Sequence, residues 1–163
     1  MRILHFEDEW ASVRPIPHWL HDRIFTALPP ADAVELELTE EENPKDEVPT
    51  KVTVSVKRKT GTRDVFEYLF VKELDTLKKM AGKDDIVIVD IMRGDKDGHF
   101  VSVLEQLLPI LVDGGFSLDN WRYFSNYPEK IGESSDLKGF MKKQHKELVG
   151  YLFEKVWSHW SPQ

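Results

Sequence analysis

Apolar and polar positions alternate in two different periods along this chain, and the period switches mark its elements. Residues 3–6 form a short continuous apolar run, with His5 its one polar member, and are predicted to be a buried strand. Pro15 and Pro17 delay the next element, a helix predicted over residues 16–28, with Trp19, Leu20, Ile24 and Phe25 on one apolar face and Pro29-Pro30 as the stop. Residues 34–38 alternate apolar and polar, as a half-buried strand does. Residues 40–49 carry dense acidic charge and two prolines and are predicted to be a solvated loop. Residues 52–56 and 65–70 alternate again around a turn at 59–62, a β-hairpin pattern. A helix is expected over 71–80 with Gly82 as its cap, then a strand of Ile and Val ending at Asp90. Val101, Leu104, Leu107, Leu108 and Leu111 predict a helix over about 100–112, bent at Pro109 and stopped by Gly114-Gly115. Strands are expected over 121–125 and 137–141, with a helical turn after Pro128 between them and a closing amphipathic helix over 143–160. Strands alternating with helices imply one α/β domain with a parallel central sheet, spanning 1–163. The segment 40–70, acidic loop plus hairpin, reads as an insertion within it.

Composition narrows the function classes. A formal net charge of −7 opposes general affinity for a nucleic-acid backbone. No stretch of 18 apolar residues is present, so no membrane span is expected, and the N-terminus has no signal-peptide pattern. The absence of cysteine excludes disulfide and thiol chemistry and fits a cytoplasmic setting.

Candidate chemistry lies where the apolar runs end. The first runs into Glu7-Asp8-Glu9, and the Ile/Val run after Asp85 ends in Asp90. Carboxylates gathered at the C-terminal edge of a parallel sheet occupy the edge where such sheets form sites. They repel one another unless a divalent cation lies among them, and Mg²⁺ has the matching preference for oxygen. The histidines have no metal-ligand spacing, and His5 is expected to be a structurally satisfied core or face residue rather than a ligand. Tyr151, Phe153, Trp157 and Trp160 on the last helix read first as core packing.

Taken together, the strand ending in an acid pair at Glu7-Asp8, and Asp90 followed eight residues later by Gly98, resemble the receiver domain of two-component response regulators. Tyr123-Phe124-Ser125 matches the hydroxyl-bearing end of that family's fourth strand, and Lys142-Lys143 its strand-five lysine. Gly94 stands where the family usually has a proline after the phosphoacceptor, no proline follows the lysines, and the Ser-to-Lys interval is short. The resemblance implies a flavodoxin-like (βα)5 three-layer sandwich with an extra β-hairpin after the first helix. It implies Asp90 as phosphoacceptor and Mg²⁺ held by Glu7, Asp8, Asp90 and the Met92 carbonyl. Ser125 and Lys143, with Lys142 as the alternative, would meet the phosphoryl group. It further implies a histidine kinase or phosphotransfer protein as donor and a separate protein as output. It points to the last helix as a surface for a partner or a homodimer. Two other readings compete: a degenerate receiver that binds partners without being phosphorylated, and a Toprim-like metal-dependent phosphotransfer enzyme. The latter wants an Asp-x-Asp at the strand end, where this chain has Asp90-Ile91-Met92.

Overall fold

The computed structural model describes residues 1–28, 33–42, 49–94, 100–102, 104–115, 117–125, 140–142 and 144–160, some by backbone alone. Its frame is an α/β fold around a seven-stranded, mostly parallel sheet. The strands are β1 (Arg2–Phe6), β2 (Ala33–Glu42), β3 (Pro49–Arg58), β4 (Arg63–Val71), β5 (Ile86–Val89), β8 (Trp121–Ser125) and β9 (Phe140–Lys142), in the order β2-β3-β4-β1-β5-β8-β9. The run β4-β1-β5-β8-β9 is parallel throughout. β2 and β3 extend it on one side as antiparallel strands. A separate two-stranded hairpin, β6 (Met92–Gly94) with β7 (Phe100–Ser102), follows Asp90.

Burial on both faces explains why the central strands read as continuous apolar runs. Ile3, Ile86 and Ile88 share a core with Ile16, Leu20 and Ile24 of α2 (Ile16–Ala27) and with Leu148, Leu152 and Val156 of α5 (His145–Trp160). Leu4, Phe6, Val87 and Val89 face the other way, onto Leu77 of α3 (Leu74–Met80) and Leu107 and Ile110 of α4 (Leu104–Asp113). On β3 the even positions Val52, Val54 and Val56 are fully buried, which accounts for its period of two.

Several boundaries differ from the sequence reading. In α2 the buried spacing is Ile16, Leu20 and Ile24, four apart, whereas Trp19 is 44% and Phe25 66% exposed. These two flank the buried row, and Trp19 packs beside His145 at 5.4 Å between ring centroids. The acidic segment begins as strand, since β2 continues to Glu42 and Glu40 pairs with Val52; residues 43–48 lie outside the described residues. Val71 ends β4 rather than starting a helix, because it continues the pairing with β1 opposite Phe6. α3 ends at an extended Ala81, not at a glycine cap, and the Gly82 amide donates instead to Asp85 Oδ2 at 2.7 Å. Residues 100–102 are strand, so the following helix begins only at Leu104. The expected turn after Pro128 and the first residues of the expected strand over 137–141 lie outside the described residues; the strand is described over Phe140–Lys142, and the last helix starts at His145, after a non-helical Gln144.

The hairpin at 52–70 is present, with Gly61 at a φ of +87° in its turn. Its second strand is not an appendage. β4 is the parallel neighbour of β1 from Arg2↔Glu67 to Phe6↔Val71, so the strands added beyond the parallel run are β2 and β3.

Candidate functional site at the acidic edge of the sheet

β1 sits between β4 and β5 with all three strands pointing the same way, and Phe6 is level with both Val71 and Val89. The next residues continue that lattice. The Glu7 amide donates to the Val71 carbonyl at 3.2 Å, and the Asp90 amide donates to the Phe6 carbonyl at 3.0 Å. Glu7 and Asp90 therefore leave adjacent strands at the same level. Both are buried, at 1% and 6% exposure, while Asp8 is half-buried. Glu7 Oε1 also accepts the Glu9 amide at 3.0 Å, which tightens the turn into α1 (Trp10–Val13).

Beneath this edge lies an aromatic layer that the motif reading did not anticipate. His5 is fully buried, as expected of a core histidine, and its Nδ1 lies 2.7 Å from the Tyr68 hydroxyl. Tyr68, Phe70 and Phe124 surround the imidazole at centroid distances of 5.9, 6.2 and 5.9 Å. Burial pushes the Tyr68 hydroxyl well above the usual tyrosine pKa, and the negative charge of Glu7 adds to the rise. The Phe66-Glu67-Tyr68-Leu69-Phe70 alternation was the available signal, but what it packs under depends on the distant β1.

Two further candidates, Ser125 and Lys142, fall on the same edge of the sheet. Ser125 ends β8 and Lys142 ends β9, and the register pairs Ser125 directly with Lys142. Met92 belongs to β6, opposite Ser102. Lys143, Asp95, Asp97 and Gly98 lie outside the described residues. The backbone thus brings Glu7 beside Asp90, and Ser125 beside Lys142, at the C-terminal ends of four parallel strands.

Two neighbouring buried carboxylates are disfavoured when both are ionised, and a proton or a cation between them relieves the cost. Among the described residues, no three His, Asp or Glu side chains form a group that could hold a metal ion. Mg²⁺ commonly uses one or two carboxylates and completes its octahedron with water and phosphate oxygens. The oxygen donors of Glu7, Asp8, Asp90 and the Met92 carbonyl suit it in kind. Among the described residues, no helix is long and apolar enough to cross a membrane. The chain matches no protein-family model and no curated protein.

Proposed function

We propose that this chain is a receiver-like signalling domain, phosphorylated on Asp90 with Mg²⁺ and acting through a protein partner. The observation that carries the reading is the side-by-side exit of Glu7 and Asp90 from the central parallel pair β1–β5, both buried. The sheet order adds support. Counting the parallel strands alone in chain order, they lie 2-1-3-4-5 across the sheet, the order of flavodoxin-like folds, whose sites form at the carboxyl ends of the strands.

In this reading an Asp90 carboxylate oxygen attacks the phosphorus of a phosphohistidine on a kinase or phosphotransfer protein. The phosphorus–nitrogen bond breaks, and the departing imidazole keeps the electron pair and takes up a proton. Bound Mg²⁺ would neutralise the phosphoryl oxygens, a transfer in which the protein's part is positioning and charge. The Ser125 hydroxyl would donate to the new phosphate, and Lys143 or Lys142 would place an ammonium against it. The modification adds roughly two negative charges, which rebias the surface around β8 and β9. The phosphodonors of such systems imply a cytoplasmic setting.

The degenerate-receiver reading keeps one specific support. The chain after Asp90 enters the paired hairpin β6–β7, so Met92 belongs to a backbone already engaged with Ser102. One experiment separates the two readings. Acetyl phosphate with Mg²⁺ should add a single phosphoryl group, labile to hydroxylamine and absent from Asp90→Ala, as read by intact mass. A protein that binds Mg²⁺ but acquires no adduct would be the degenerate form.

A further inference from the structure

The outermost strand of a sheet presents a row of backbone N–H and C=O groups, and proteins usually blunt it against self-association with a short strand, charged side chains, proline or a bulge. β2 is that strand on the antiparallel side, and among the described residues nothing pairs with its outer edge. It is ten residues long, and its irregularities fall only at its ends, between Ala33 and Glu35 and between Glu41 and Glu42. The stretch between them pairs regularly with β3 and contains neither proline nor lysine. Its sequence, Ala-Val-Glu-Leu-Glu-Leu-Thr-Glu-Glu-Glu, carries five glutamates and no basic residue.

We infer that the outer edge of β2 accepts an extended, Lys/Arg-rich segment of another protein as an additional strand. Charge decides between the occupants. A second copy pairing antiparallel about Leu38 would set Glu35 against Glu41, and like charges directly opposite destabilise a ladder. A basic segment meets the same row with attraction, while its main chain supplies the ladder hydrogen bonds of strand addition. On the inner side Glu41 already holds Lys51 of β3, with Oε1 2.8 Å from Nζ, so acid–base pairing is in use along this strand. The site is independent of chemistry at Asp90, because β3, β4 and β1 separate it from β5.

The test uses the full chain and a nine-residue end-blocked peptide of alternating lysine and valine, with a second peptide N-methylated at alternate residues. N-methylation keeps every charge and removes ladder donors. We expect the first peptide to bind and to slow amide exchange along residues 34–41. The N-methylated peptide should bind at least tenfold more weakly, and so should the first peptide to a Glu35→Lys/Glu37→Lys variant. Equal binding of both peptides would mean adhesion to acidic charge and would overturn the proposal. So would protection confined to other strands, or a homodimer that sedimentation shows to pair through β2.

Discussion

The central pair β1–β5 begins and ends with charged residues, and its two ends are built on opposite rules. At the start, Arg2 meets Asp85 in a forked ion pair, with Nη2–Oδ2 at 2.6 Å and Nε–Oδ1 at 3.0 Å. Arg2 Nη2 also donates to the Met80 carbonyl at 2.7 Å, and the Gly82 amide donates to Asp85. The hydrogen bond to Asp85 holds the guanidinium more firmly protonated than an ordinary arginine. At the finish, the same two strands release Glu7 and Asp90, two acids at one level, into a buried edge. Opposite charges close one end as structure. The other end gathers like charges, which the proposed function assigns to a metal-dependent site.

The largest expected effect comes from breaking the closed end. Asp85→Ala removes three hydrogen bonds, leaving Arg2 with its Met80 carbonyl contact and the Gly82 amide without its Asp85 acceptor. The expected loss is about 2–3 kcal/mol, held to that range by the partial exposure of Arg2. Urea unfolding monitored by tryptophan fluorescence measures it. A loss under about 0.5 kcal/mol, the size of an ordinary surface substitution, would end the contrast between the two poles.

The acidic end should respond in the opposite direction. Asp90→Asn removes one of two like charges and should raise stability without metal, while weakening Mg²⁺ binding at the proposed site. Calorimetric titration of Asp90→Asn and Asp8→Ala decides the second half, and unchanged Mg²⁺ affinity in both would falsify the metal site.

The smallest effect sharpens where Glu7's charge is felt. Tyr68 is held well above its usual pKa, and burial pushes Tyr123 and Tyr151 up to about 12. The folded state therefore keeps protons that the unfolded chain releases near pH 10. These groups contribute stability that is full below about pH 10 and is lost as pH rises through the folded values. Glu7→Gln should lower the pH at which Tyr68 ionises, because Glu7 is the second cause of its rise after burial. Absorbance at 295 nm, compared with Tyr68→Phe as the blank, reads that shift.

Sequence made the short central strands and their terminal acids legible, because burial on both faces writes an unbroken apolar run and the acids punctuate it. It also showed the alternation of β3 and β4. It did not show that β4 lies against β1, since that depends on pairing between residues 65 apart, such as Arg2 and Glu67. Local apolarity misled at Trp19 and Phe25, where the helix buries only the row at spacing four. At Phe100 and Val101 a helical spacing of apolar residues coincided with a short paired strand. Of the candidate site, Glu7 and Asp90 were readable from strand ends, but the layer of His5, Tyr68, Phe70 and Phe124 under them was not. It assembles from three strands that are remote in the chain.

The position of β1 also orders events in time. It precedes both of its neighbours in the chain: neither begins before residue 63, and the second is complete only at Val89. The hairpin β3–β4, by contrast, closes across a four-residue turn. A nascent chain that stops short of Asp90 can carry the antiparallel flank and pair one side of β1. It cannot carry the carboxylate pair, so the acidic edge comes into being only once the chain has been made through Asp90.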